Sequence, residues 1–304
     1  MTSSITVFLI NQFYFFIGFF FLTLAKAKHT LQGYRTPKPF SISQTDRCIA
    51  YDVATVDTWL AQLRNYVGAD HGFSGRHILE LGPGSDLGVG LTLLARGAAS
   101  YSAVDAHDLV RSVPQGFYQQ FFEHLKPEVS PTAIAMLEGE LASWRAGKPD
   151  RLNHVARTDF DIERALNGRS IDLILSQAAF EHFEDIDRTV GQVSRLASDN
   201  ALLAVSVDLQ THSRWIRDKD PDNIYRYPTW LYRLFWFKGI PNRVRPREYK
   251  AIFEKYGWKD IQVTHLTSLP AEKLKAVRPY LYGSFKREES DMDALIILIC
   301  ARRR

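Results

Sequence analysis

Hydrophobic and polar positions along this chain repeat with two alternating periods. Short runs rich in apolar residues recur at 77–81, 101–105, 153–157, 171–176, 201–207, 260–266 and 294–301, and each reads as a strand. Amphipathic stretches at 52–67, 88–96, 185–197, 246–256 and 270–278 lie between or beside them and read as helices. Strand and helix patterns therefore alternate, which predicts an α/β fold built on a parallel sheet. The last run, Ala294 to Cys300, is continuously apolar, as a strand buried on both faces should be. Gly97-Ala98 and Gly257-Trp258 read as helix exits that feed the next strand.

Two segments exceed what such an alternation needs. The connection from Ala106 to about Asn153 is too long for a simple strand–helix–strand link. It carries helical material at 116–122 and 132–144, and either covers a pocket or packs as decoration. Residues 211–250 hold ten Lys and Arg against four Asp and Glu, whereas the whole chain of 304 residues carries only +4. The basic surplus is thus local, and it is interleaved with aromatics including Trp215, Trp230 and Trp236. That mixture suits an anionic acceptor or an anionic membrane surface, and a solvated face remains open for any single charge. Nucleic acid is not the expected partner, because no separate binding module accompanies the cluster.

The N-terminus adds a third feature. Ile5 to Ala25 are 21 residues without a charge, enough as a helix to span roughly 30 Å, the thickness of a bilayer core. Lys26, Lys28, Arg35 and Lys38 follow it and no Lys or Arg precedes it, so a single-pass anchor would leave the rest of the chain in the cytosol. A cleaved signal peptide, with Ala25-Lys26-Ala27 as its site, and a mis-assigned start codon are the competing readings. Only Cys48 and Cys300 occur, so no disulfide framework is expected. No zinc-like Cys/His spacing appears, and no metal is expected.

Chemistry concentrates at His77 to Gly88, where a strand ending Glu80-Leu81 enters the turn Gly82-Pro83-Gly84. A second short strand ends on Asp105. Glycines let a backbone approach a ligand closely, and a carboxylate at the next strand tip can take both ribose hydroxyls. A dinucleotide site would want a third glycine where Leu87 stands. Pro83 removes an N–H that a phosphate could use, and Glu80 would repel a diphosphate. A cofactor with a cationic amino-acid end would welcome that acid.

These residues resemble motif I of the class I S-adenosylmethionine-dependent methyltransferases, in which the loop wraps the methionine part and the acid ending the second strand holds the ribose. The run Ile171 to Asp185, with Ser176-Gln177 at a strand tip and Glu181-His182 beyond it, is similar to motif IV of that family. The resemblance implies a Rossmann-like three-layer sandwich with a mostly parallel seven-stranded sheet whose last strand is antiparallel, here preceded by a transmembrane helix. It implies S-adenosylmethionine (SAM) as cofactor, with Glu80, Gly82, Pro83, Gly84, Asp105, Ser176 and Gln177 around it and Asp159-Phe160 beside the adenine. Asp208 and His212 sit where the family presents groups to the acceptor; they and His182 are the candidate catalytic residues, although each also has a bracing role open to it.

The expected organisation is an anchor and flank over 1–29, a helical extension over 30–70 and a methyltransferase domain over 71–304, with the insertion at about 106–153 and the basic aromatic segment at 211–250. The expected activity is methyl transfer to a small-molecule, glycan or lipid-linked acceptor, anionic in one version, with oxygen the favoured atom. A catalytically inactive cofactor-binding membrane scaffold is the alternative. A nicotinamide-dependent reductase ranks third, given Glu80 and Leu87.

Overall fold

The computed structural model describes residues 4–33, 43–114 and 116–303, so Arg35 and Lys38 of the positive flank lie outside the described residues. After two helices, α1 (Ser4–Gln32) and α2 (Thr45–Val67), the chain runs β1 (His77–Leu81), α3 (Gly88–Ala95), β2 (Ser100–Asp105), α4 (Phe117–Leu125), α5 (Pro131–Arg145) and β3 (Leu152–Ala156). It continues through α6 (Ile162–Leu166), β4 (Ile171–Gln177), α7 (Ile186–Leu196), β5 (Ala197–Asp208), α8 (Thr229–Leu234), α9 (Pro246–Lys255), β6 (Trp258–Ser268), α10 (Ala271–Val277) and β7 (Ala294–Arg303). The strands form one seven-stranded sheet of order β3-β2-β1-β4-β5-β7-β6. β7 runs antiparallel to both neighbours, whereas the pairings among β1 to β5 are parallel.

Period-two alternation along the strands builds the two outer layers. Ile78, Leu173, Leu175, Leu202, Leu298 and Cys300 pack toward α2, α3, α4 and α5. Their neighbours Leu79, Ile174, Leu203, Val205, Ile297 and Ile299 pack toward α6, α7 and α9. Each fully buried side chain of this size stabilises the fold by roughly 1.5–3 kcal/mol. The switch in chain direction between β1 and β4 leaves a crevice beyond their C-terminal ends, where α/β sheets bind ligands.

α2 begins at Thr45, seven residues before the helix expected at 52–67. Cys48, Asp52, Val56, Trp59 and Leu63 are its buried stripe, and no proline or glycine marks where that stripe begins. Of the two roles open to the long insertion, α4 and α5 take the packing one. Phe117, Phe121, Leu137 and Leu141 join the core layer of α2 and α3. A third apolar cluster caps the C-terminal edge of the sheet, where Tyr225, Tyr227, Tyr232 and Phe235 meet Leu274, Leu295 and Leu22 of α1.

Candidate active site

A cavity of about 460 Å³ opens at the ends of β1, β2 and β4, inside the roughly 300–1,000 Å³ range of small-molecule sites. Its floor is the turn after β1. Gly82 and Gly84 have φ of 73° and 84°, a left-handed conformation that glycine adopts without strain. A Cβ on Gly82 would lie 2.5 Å from the Ala179 methyl, so the turn passes the tip of β4 with no room for a side chain. The backbone here is available to a ligand because glycine keeps it bare.

One wall is acidic. Glu80 is buried and accepts from the Tyr101 hydroxyl at 2.5 Å. Burial and the nearby Glu80, Asp86 and Asp52 push the Tyr101 hydroxyl far above its usual range, so that hydroxyl stays a donor to the acid. Asp52 and Thr55 of α2 line the same cavity. Sequence reading missed this α2 contribution, although the helical spacing of Asp52 with Trp59 was the available sign. Asp105 ends β2 at the cavity and accepts from His107 N at 2.9 Å. Burial raises its carboxyl to about 6 against the pull of backbone amides at His107, Ala106 and Gly84. A ligand with a cationic amino-acid end and a vicinal diol fits this division of charge, which makes the site chemically suited to SAM.

Residues 54–263 match the model of a family described as a methyltransferase domain. The chain belongs to that family. With its seven-stranded sheet and acid–glycine turn, it is a class I SAM-dependent methyltransferase. No curated protein matches it. Among solved structures it is similar to the CurJ carbon methyltransferase (12% identity over 83% of this chain and 53% of that one, TM-score 0.44). It is also similar to Haemonchus contortus phosphoethanolamine N-methyltransferase 2 in complex with SAM (14% identity, 81% and 52%, TM-score 0.43). A third is a SAM-dependent methyltransferase from Mesorhizobium loti (18% identity, 83% and 100%, TM-score 0.42). The chain spans about half the length of the first two.

In the methyltransferase, the remaining expected residues fall into two groups. Glu80, Gly82, Pro83, Gly84, Asp105, Asp159, Phe160 and Gln177 all line the cavity. Asp159 is clasped by Arg157 through bonds of 2.9 and 2.7 Å, and Phe160 packs on Phe183 with ring centres 4.6 Å apart. Ser176 instead stands behind the wall, fully buried, with its hydroxyl donating to Leu81 O at 2.8 Å. It braces β4 against β1 under the glycine turn. Residues 108–157 contribute nothing to the lining among the described residues.

The candidate catalytic residues cluster past the tip of β4. His182 lines the cavity, and its ring centre lies 4.7 Å from that of His212 behind it. Burial holds both imidazoles below their usual range, and for His212 the neighbouring His182 and Arg217 add to the effect. Asp208 lies one layer deeper, 3.8 Å from His212 Nε2. Glu181, which the sequence marks only as part of the Glu181-His182 pair beyond β4, is also here; burial and Asp208 raise its carboxyl well above the ordinary range. The mouth of the cavity carries Trp236, Lys238 and Arg188.

Proposed function

We propose that this methyltransferase works at a membrane surface and methylates an oxygen of a small or lipid-linked acceptor, one that carries negative charge. The carrying observation is the segment 236–239. Trp236, Lys238 and Gly239 line the cavity mouth, while Phe237 stacks on His29 of α1 with ring centres 4.7 Å apart. The route into the site therefore runs beside the long apolar helix α1. Lys238 and Arg188 at that mouth suit an anionic group on the incoming acceptor.

SAM, when bound, supplies a methyl group on a cationic sulfur that is already activated for displacement. Gly82, Pro83 and Gly84 would cradle its amino-acid part, Glu80 and Asp52 would balance its positive charge, and Asp105 would take the ribose hydroxyls. Phe160 and Asp159 would flank the adenine, with Gln177 near the β4 tip. What remains for the protein is to place the acceptor in line and exclude water. His182 faces the cavity, and an imidazole kept neutral by burial can receive a hydroxyl proton at neutral pH.

α1 is the membrane element in this reading. It is the one helix among the described residues long and apolar enough to cross a bilayer. It can span, with the catalytic domain in the cytosol, or it can lie in the plane of the membrane. Contacts with the catalytic domain all along α1 favour the in-plane placement: Asn11 donates to Ala276 O, Tyr14 O and Phe15 O accept from Asn223 and Tyr227, and Lys26 donates to Leu234 O. The opposite face exposes Leu9, Phe13, Phe16 and Phe20, with Trp215 and Trp230 exposed on the adjoining segment.

Incubating the full chain with methyl-labelled SAM and a fractionated membrane extract tests the reading. Label in an acidic lipid or lipid-linked species, as an alkali-stable ether, supports it. Label confined to water-soluble neutral products overturns the membrane assignment, and SAM binding without transfer to any fraction supports the inactive scaffold.

A further inference from the structure

Beyond methyl transfer, three side chains at and behind the cavity wall share an unmet need. Glu181 is 2% exposed; the backbone amides of Glu181 and Asp208 approach its carboxylate, but neither oxygen has a partner with full hydrogen-bond geometry. His182 Nδ1 and His212 Nε2 are likewise buried and unpartnered. One ligand atom from each of the three lies within 4.8 Å of the others. Buried polar groups are almost always fully paired, so three under-satisfied groups converging on one point suit a shared ligand.

The surroundings hold the trio in position. Asn242 N donates to Glu181 O at 2.7 Å, and its side chain donates to Phe180 O and Phe183 O at 2.8 and 3.1 Å. The short helical turn that carries Glu181 and His182 is thereby fixed to the segment before α9. Ala178, at φ 50°, bends the chain as it leaves β4 and aims that turn inward. Asp208 sits beside His212 and is itself secured by Arg217 and Gln210 N.

We propose that Glu181, His182 and His212 bind a divalent first-row transition cation, with its open coordination positions facing the methyl-transfer cavity. One carboxylate and two imidazoles suit zinc or manganese, and three protein ligands leave room for an exogenous oxygen. Metal–ligand bonds of about 2.0–2.2 Å need the three atoms to draw together by about 1 Å, within the reach of side-chain rotation. His182 joins the trio to the cavity, so that exogenous oxygen would come from the acceptor, and with a cation bound it is the cation, in place of the His182 imidazole, that would ease loss of the hydroxyl proton. This last clause rests on the oxygen-methylation reading above; cation binding itself does not.

The test uses the untagged full chain in detergent, stripped with chelator and then titrated with Zn²⁺, Mn²⁺ or Co²⁺. One equivalent of tightly held metal is expected, and the Co²⁺ form should show visible absorption bands of a site with nitrogen and oxygen ligands. Glu181→Gln and His212→Ala should each weaken binding at least tenfold, whereas His265→Gln, at the separate pair with Asp293, should not. Absence of stoichiometric binding and of the Co²⁺ bands in the unaltered chain overturns the site, even if the variants fail to fold. Binding that survives both ligand substitutions overturns it as well. Calorimetry with SAM on the metal-free chain reports separately on the cofactor site, so the two readings can fail independently.

Discussion

Arg217 donates to Asp208 Oδ2 at 2.5 Å, while His212 Nε2 stands 3.8 Å from the same oxygen. The guanidinium therefore holds this carboxylate, and the imidazole is too far for a hydrogen bond. Asp208 is nearly buried beside Glu181, so removing Arg217 leaves a negative charge with reduced compensation. Arg217 itself is partly exposed, which screens the pair and lowers its worth.

A double-mutant cycle should show the coupling. Arg217→Gln and Asp208→Asn are each expected to lower stability, and the double variant should recover about 1 kcal/mol of the summed loss in chemical denaturation. Strict additivity would show that the two side chains do not depend on each other. SAM affinity should stay unchanged in all three, because neither residue lines the cavity.

Gly82 should tolerate no side chain. Gly82→Ala brings a methyl within 2.5 Å of the Ala179 methyl at a φ of 73°, combining a clash with a strained backbone. The expected result is loss of SAM affinity by at least tenfold with a stability cost of about 1–3 kcal/mol. Adding Ala179→Gly removes the clash and leaves the strain, so it should restore affinity in part. Full cofactor affinity in Gly82→Ala, measured by calorimetry, would count against the turn as the cofactor cradle.

Cofactor binding should be pH-dependent through Asp105. Its carboxyl is raised to about 6, and hydroxyls donate best to the ionised form. SAM affinity should therefore be flat above pH 7 and fall as pH drops through 6, to about tenfold weaker at pH 5. Asp105→Asn should bind weakly and without this dependence. An unchanged titration curve in that variant would assign the dependence elsewhere.

Asp222 gives a stability test with the opposite direction. It is buried in the cap with neither oxygen partnered, and burial foremost raises its carboxyl to about 7 despite Arg245. The folded chain keeps this proton between about pH 4 and 7 while the unfolded chain releases it, so stability falls as pH rises across that window. Complete titration is worth at most roughly 4 kcal/mol. Asp222→Asn should raise the melting temperature at pH 8 and leave it nearly unchanged at pH 4. No gain at pH 8 would show that Asp222 is ionised and satisfied in the fold.

The parts of this molecule that the sequence revealed are those governed by local rules. Alternation of apolar residues located all seven strands, and Glu80, Gly82, Gly84 and Asp105 stood at strand ends where spacing alone identifies them. The parts that escaped depend on distant segments meeting. Asp52 reaches the cavity because α2 packs on α3, and Gly88 has no Cβ to block its carboxylate; its helical spacing with Trp59 marks a buried face but not the cavity that face meets. Glu181 and His212 are 31 positions apart, so no ligand spacing links them, and the fold of β4 and β5 side by side brings them together. Ser176 illustrates the converse. Its place at a strand tip suggested the cavity, yet its rotamer turns the hydroxyl inward to Leu81.

The placement of α1 yields the last prediction. Its partners run from Tyr280, which Phe8 meets with ring centres 6.4 Å apart, to Phe237 beside His29. The 22 residues from Phe8 to His29 cover roughly 30 Å of helix, the full depth of a bilayer core. A spanning α1 that kept these contacts would drag Asn223, Asp220 and Arg226 into hydrocarbon, which is costly for a buried ion pair and its neighbours. An in-plane helix keeps them on the aqueous side and presents only its phenylalanine face to lipid. Leu9→Cys, Phe16→Cys and Leu24→Cys lie on that exposed face, and the native Cys48 and Cys300 are buried. Labelled with a fluorophore in anionic vesicles, the three positions should report equal, shallow depth to lipid-borne quenchers. A maximum of depth at position 16, with positions 9 and 24 shallower, would instead establish the spanning placement and require α1 to leave the catalytic domain.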